Sequence, residues 1–465
     1  MSVADATADF GIEDRHDRGF LGHPRGLGYL AFTEAWERFS YYSMQSLLTL
    51  YMVNYLLLPG RADQVVGLDT LKHLYGGLEG QPLASAIFGT YTALVYLTPI
   101  FGGLIADRLL GRRRTVILGA VLMAIGHFLM AFEQAFIGAL LCLILGVGAF
   151  KGNIASQVGG LYRPNDLRRA AAFQIFYIAI NAGVIGAPLI SGTLGEKVGW
   201  HWGFGAAGVG MIIGLLIYLA GQRHLPPDEP RRSASDTPRR KLDRRDWTAV
   251  GALLLLIPVL ATSLLTNQQI FNVYLVWGDQ QFDLVLFGER LPTTWLITLD
   301  TITSVSFLVI VAAFWSWWGK RHREPDELGK IIIGSAFSIA GGLCLVAAAA
   351  TQPEGGKIGL FWPVMFHVLN SIAFAHILPI SLALFAKVAP KAINATVIGL
   401  YYLAFFVANS LVGWIGGFYE SMATTQFWML HVATAGGAGL VFVLYKIFLG
   451  KLLVEAEEPV ADPLK

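Results

Sequence analysis

The feature that most constrains this chain is a recurrence. Apolar runs of about 20 residues, each long enough to cross a bilayer as a helix, return along the whole sequence between short polar or basic segments. A soluble core has no room for so many runs of that length, so the chain reads as an all-α integral membrane protein that crosses the bilayer repeatedly. Composition agrees: 55% of residues are hydrophobic and 14% charged, against about 25% charged in soluble proteins. A water-soluble enzyme is excluded, and a formal net charge of +2 gives no argument for a nucleic-acid partner. Cys142 and Cys344 lie inside apolar runs in opposite halves of the chain, so neither a disulfide nor a zinc site is expected. The first 26 residues mix Asp, Glu, Arg and His without an apolar stretch. They predict no cleaved signal peptide, and the first hydrophobic helix is expected to act as the targeting signal.

Apolar runs ended by polar or Gly/Pro punctuation predict transmembrane helices near 27–54, 83–107, 114–132, 135–160, 170–194 and 201–222, then near 247–277, 293–319, 329–351, 359–388, 393–419 and 426–448. Between the two sets of six lies 223–246, rich in Pro, Arg and Asp. The expected organisation is therefore an N-terminal tail over 1–26, a six-helix bundle over 27–222, a linker over 223–246, a second six-helix bundle over 247–448 and a C-terminal tail over 449–465. Halves of nearly equal length suggest a duplicated bundle with a central site at mid-membrane. With the N-terminus in the cytoplasm, the inner segments hold 27 Lys and Arg, while the outer loops hold five: Arg61, Lys72, Lys197, Arg290 and Lys357. That asymmetry places both termini and the linker in the cytoplasm, and the chain is expected in the cell (inner) membrane as a multi-pass protein.

The two remaining basic residues, Arg38 and Lys151, fall inside predicted helices. Glu34, Glu37 and Arg38 share one helix face through i, i+3, i+4 spacing. A charge on a lipid face costs about 2.5–3.5 kcal/mol or more, so this face must point at a partner or a water-filled cavity. A purely structural ion pair is one reading. A second carboxylate exceeds what one pair needs, and the functional reading is a proton-exchangeable set in which protonation of one carboxylate frees Arg38 for a substrate carboxylate. Lys151, between Gly148 and Gly152, can be structural or can join that set as a pocket for an anion. Asp300 is the only acidic residue well inside a span of the second half; it can accept a hydrogen bond from Thr301 or Thr303, or bind a cation such as a substrate ammonium. Asn267, Gln268, Gln269 and Asn272 give the seventh helix a polar face. His127, His367 and His376 are expected to make helix–helix hydrogen bonds rather than to relay protons. Between the second and third helices, Gly102-Gly103-x-x-Ala106-Asp107 runs into Arg112–Arg114. Asp107 and Arg113 are expected to form a conformational switch, making ion pairs that break and re-form as helices slide.

Together these motifs resemble the proton-dependent oligopeptide transporter family of the major facilitator superfamily. The resemblance rests on Glu-x-x-Glu-Arg-Phe-x-Tyr-Tyr at Glu34–Tyr42, the Gly-Gly-x-x-Ala-Asp loop, Phe150-Lys151-Gly152-Asn153, Phe176–Gly183 and Trp200–Phe204. Looser matches follow at Gln268-Gln269, Pro292–Trp295, Pro379, Val388–Pro390 and Gly399–Tyr402. It implies the major-facilitator-type fold of two six-helix bundles and import of di- and tripeptides driven by protons, with no covalent chemistry and no cofactor beyond the coupling proton. Carried over residue by residue, it makes Glu34 and Glu37 proton-linked and Arg38 and Lys151 ligands of the peptide carboxylate, with Tyr42, Tyr96, Asn181, Asn267 and Tyr401 at the cavity. Asp300 is expected to act in both substrate binding and proton coupling. The chain departs from the family pattern at four places: Gln45 stands for an Arg, Asn267 for an acidic residue, Phe374 for a Glu and Asp300 for an Asn.

Other readings fit less well. A divergent relative carrying another small zwitterion or anion keeps the same charges. A drug/proton antiporter would want an apolar cavity with few fixed charges, and a membrane enzyme would need a metal set or a nucleophile–base pair that the spans lack. The expected partners are small peptides and the lipid bilayer, with no nucleic acid, and the expected state is a monomer.

Overall fold

The computed structural model describes residues 17–162, 166–226, 242–390 and 393–450. The linker expected over 223–246, and both tails, lie largely outside these residues. The helices in chain order are α1 (Arg25–Tyr51), α2 (Leu68–Leu74), α3 (Gly80–Ile105), α4 (Arg112–Leu129), α5 (Phe136–Gly160), α6 (Arg168–Ala187), α7 (Thr193–Lys197), α8 (Trp200–Gly221), α9 (Arg244–Ser263), α10 (Leu265–Gln268), α11 (Val273–Gln281), α12 (Trp295–Gly319), α13 (Glu327–Ala350), α14 (Phe361–Val388), α15 (Asn394–Tyr401), α16 (Leu403–Gly416) and α17 (Thr424–Leu449). Among the described residues the only sheet is the hairpin β1 (Val285–Leu286) with β2 (Glu289–Arg290). An almost purely helical chain is what a bilayer demands, because each backbone polar group must find its partner inside its own segment.

Ten helical segments among the described residues are long and apolar enough to cross a membrane. Two of the twelve runs read from the sequence, α1 and α4, are helical but fall outside those ten. Their composition explains it: α1 carries Glu34, Glu37 and Arg38 mid-helix and then a run rich in Ser, Tyr and Gln, and α4 opens on Arg112, Arg113 and Arg114. In length both suffice, about 40 Å and about 27 Å at 1.5 Å per residue.

By contacts the chain divides into two compact units, one of 1–235, 270–302 and 413–420, the other of 236–269, 303–412 and 421–465. In the first, α1 packs on α6 and α8, α5 packs on α3 and α4, and α4 packs on α8. Small residues set these approaches. A Cβ on Gly102 of α3 would lie 1.9 Å from the Gly148 carbonyl oxygen of α5, so α3 and α5 cross backbone to backbone. Turns of π-helix extend three helix ends, at Met52–Leu56, Ala106–Leu110 and Pro188–Gly192. At the last, Pro188 has no N–H to continue the ordinary register. The second π turn closes on Gly111, whose φ of +78° turns the chain into α4.

In the second unit α13 packs on α14 and α17, and α9 packs on α17. The seventh predicted helix, expected to be continuous over 247–277, is broken instead into α9, α10, a 3-10 turn at Gln269–Phe271, and α11. Asn272 leaves helical geometry at φ −120°, ψ −107°, and its side chain accepts a hydrogen bond from Ser85 of α3 at 3.1 Å. Both residues belong to the first unit, to which 270–302 packs. The eleventh predicted helix is likewise interrupted at Tyr402, between α15 and α16.

Candidate functional site

Three charged residues of α1 meet in the interior of the first unit. Glu34, Glu37 and Arg38 are 5%, 0% and 6% exposed, and the Arg38 Nε lies 3.2 Å from Glu34 Oε1 and 2.5 Å from Glu37 Oε2. The shared face read from the i, i+3, i+4 spacing is thus an ion triad. The Arg38 guanidinium also stands 5.3 Å from the centroid of the Tyr41 ring. From α5, the Lys151 ammonium lies 5.8 Å from the same ring and 4.6 Å from that of Tyr96 on α3. Three helices therefore bring two carboxylates, two cations and two phenols to one place. Gly148 and Gly152 act differently around Lys151. A Cβ on Gly148 would collide with Thr98 of α3, whereas nothing lies within 4 Å of one placed on Gly152, so the side of α5 next to Lys151 is open.

Formally the four charges sum to zero, and pairing is what makes the burial of the three on α1 tolerable, since an uncompensated buried ion costs several kcal/mol; Lys151 is half-buried. The pairing is incomplete. Glu34 Oε2, Glu37 Oε1, Arg38 Nη2 and the Tyr41 hydroxyl are buried without a hydrogen-bond partner among the described residues. Lys151 touches rings rather than carboxylates there. A purely structural triad would spend these groups on one another. Left unspent, they offer donors to an anion and acceptors to a proton.

Tyr42, beside Tyr41, faces Phe271 at 6.1 Å between ring centroids, and it lies within electrostatic reach of Asp300. Asp300 itself is 8% exposed in the second turn of α12. Thr301, one candidate donor to Asp300, gives its hydroxyl to the Ile297 carbonyl instead. The Asn181 amide donates to the Tyr177 carbonyl at 2.8 Å. Asn267 and Tyr401 belong to the second unit: Asn267 accepts from Gln268 at 3.0 Å, and the buried Tyr401 hydroxyl donates to the Leu378 carbonyl beside Pro379 and meets Ser381. Asp107 is exposed and makes no ion pair among the described residues. Arg113 grips the carbonyl oxygens of Leu225 and Pro226, where the chain leaves the first six helices. Of the histidines, His376 takes a hydrogen bond from Trp315 at 3.1 Å, while both ring nitrogens of the wholly buried His127 are without a partner among the described residues. The Tyr41-Tyr42 pair is the sequence signal for Tyr41: on a helix, adjacent residues point about 100° apart, so Tyr41 meets the charges while Tyr42 faces Phe271.

Known proteins similar to this chain over nearly its whole length are transporters. A family model described as the POT family matches residues 113–242. An uncharacterized transporter of Bacillus subtilis, YclF, is 30% identical over 95% of this chain and 95% of its own length. The peptide transporter YePEPT of Yersinia enterocolitica is 29% identical over 92% of this chain and 95% of its own. Among solved structures, a peptide transporter POT in complex with alafosfalin superposes with a TM-score of 0.80 at 27% identity, covering 93% of this chain and 96% of that one.

Proposed function

This chain belongs to the POT family of transporters, and from that premise we propose that it is a proton-coupled symporter importing di- and tripeptides by alternating access. In this reading it crosses the cell membrane twelve times, keeps both termini in the cytoplasm, and works as a monomer with the proton as its coupling ion and no cofactor.

One observation carries the proposal: the buried Glu34, Glu37 and Arg38, with the half-buried Lys151 beside them, balance in charge yet leave donors and acceptors unspent. The balance supplies the coupling. Protonation of Glu34 or Glu37 leaves the quartet with one excess positive charge, which a substrate carboxylate neutralises at Arg38 and Lys151. Proton and peptide then favour each other's binding, because each removes the charge that the other leaves in a low-dielectric site. Asp300, near Tyr42, is assigned to the other end of the substrate. An ammonium taken out of water needs a fixed carboxylate or several strong acceptors, and Asp300 takes that role while Phe374, at the position where the family has an acid, cannot. Tyr42, Tyr96 and Asn181 line the cavity, joined by Asn267 and Tyr401 from the second half. The purified protein in proteoliposomes should exchange labelled dialanine in counterflow, with unlabelled di- and tripeptides competing and free amino acids or nitrate failing to compete. Competition by a single amino acid or by nitrate instead of peptides would reassign the substrate.

A further inference from the structure

A second polar cluster, away from the charge quartet, joins the end of α6 and α7 to the start of α12. Pro292, Thr293 and Thr294 lead into α12, and the first N–H groups of a helix have no acceptor in their own helix. Their acceptor comes from a distant segment. Glu196 of α7 takes the Thr293 N–H on Oε2 at 2.7 Å, and it takes the Thr294 N–H and hydroxyl on Oε1 at 2.8 and 2.7 Å. The neighbouring bonds run along the same seam. The Trp295 indole donates to Thr193 at 2.9 Å, the Lys197 ammonium donates to the Arg290 carbonyl at 2.5 Å, and the Thr298 hydroxyl reaches the Ile185 carbonyl at 3.3 Å. Thr293 and Thr294 are wholly buried. Gly192 admits Thr294, since a Cβ there would sit 2.2 Å from its hydroxyl oxygen.

A carboxylate held against a helix N-terminus by three donors is a strong contact, helped by charge and by the helix dipole. It differs from apolar packing in one respect that matters for a moving part: water can replace every one of its bonds when the seam opens. The seam also begins at the π turn Pro188–Gly192, a departure from α-helical register of the sort found where helices shift. Resting on the alternating-access reading above, we propose that Glu196 is a latch. Its grip on the N-terminus of α12 closes the α6/α12 seam at the end of the molecule that carries the 57–79 and 282–291 loops, and the seam opens to that side only when the grip is released.

The test needs no substrate. In a background with Cys142 and Cys344 replaced by Ala, a reporter Ile297→Cys, at a wholly buried position of α12, is labelled with a membrane-impermeant maleimide in right-side-out and in inverted vesicles. Glu196→Gln keeps the size but sets an amide donor against a backbone donor, and it should raise the labelling rate about tenfold in right-side-out vesicles, the factor that one lost charge-assisted bond implies. Glu196→Asp should fall between. Thr294→Val, which removes one bond and leaves the carboxylate, should give a smaller rise in the same direction and serves if Glu196→Gln does not fold. An unchanged rate in either folded variant, or a rise confined to inverted vesicles, overturns the latch. Dialanine counterflow measured on the parent protein separately tests the transport reading, so the two can fail independently.

Discussion

At the scale of single residues, the roles of the quartet separate by what each substitution leaves behind. Glu34→Gln or Glu37→Gln keeps a neutral acceptor beside Arg38 but removes one of the two proposed proton sites, so each should abolish acid-driven accumulation while leaving much of the counterflow, which needs binding but no net proton movement. Accumulation under a proton-motive force that survives in both variants would place the proton elsewhere. Lys151→Ala removes a cation that touches only rings among the described residues. It should weaken binding of a free-acid peptide roughly 10- to 100-fold, the range for one lost charge-assisted contact, with little change for a peptide amide. Equal losses for acid and amide in a competition assay would show that no carboxylate is read there. The mirror experiment concerns Asp300. Asp300→Asn should raise the apparent Kd of a dipeptide by a similar factor and hardly alter that of its N-acetylated form, and adding Phe374→Glu should recover part of the loss. Like behaviour of free and acetylated peptides in parent and variant would sink the ammonium assignment.

At the scale of elements, legibility in the sequence followed the chemistry of the solvent. Helix positions along the chain were readable because a bilayer admits only long apolar runs, and the charge cluster was readable because ions inside such runs stand out. Neither signal reports where a helix breaks. At the break, Asn272 takes a hydrogen bond from Ser85, a partner 187 residues away, and the polar run Asn267–Asn272 would suit a continuous amphipathic helix equally well. Nothing local marks Glu196 for the same reason, since its donors lie 97 and 98 residues further on. Glycine spacing was more informative. Of the glycine pairs Gly102-Gly103 and Gly148/Gly152, Gly102 and Gly148 are where the α3 and α5 backbones meet, while nothing lies within 4 Å of a Cβ on Gly103 or Gly152. Gly102→Val forces side-chain atoms into a backbone carbonyl, and overpacking of this kind costs about 1–3 kcal/mol or more. The melting temperature in detergent should fall clearly, whereas Gly103→Val, with nothing within 4 Å of a Cβ, should leave it nearly unchanged.

At the scale of the whole molecule, the proposed twelve crossings and the ten segments that qualify by length and composition differ in where they put the charges. Ten segments qualify by length and composition, and α1 and α4 are the two that do not. Either count is even and leaves the two termini on one side, so locating the termini cannot separate them. The loops between can. If α1 and α4 both cross, residues 57–79 lie outside, the turn into Arg112–Arg114 lies inside, and the basic residues stay cytoplasmic. If neither crosses, residues 57–79 fall inside, and Arg108 and Arg112–Arg114 are carried to the outer side, against the rule that Lys and Arg collect in the cytoplasm. The burial of α1 argues for crossing too: it packs on both α6 and α8, and a helix lying along the surface would not place Glu37 and Arg38 in the interior of the unit. In a background lacking Cys142 and Cys344, Gln64→Cys should therefore react with a membrane-impermeant maleimide on intact cells. Arg108→Cys and Arg321→Cys should react only after the membrane is opened. Shielding of Gln64→Cys together with external labelling of Arg108→Cys would fit ten spans, and it would move the proton site on α1 out of the transport path.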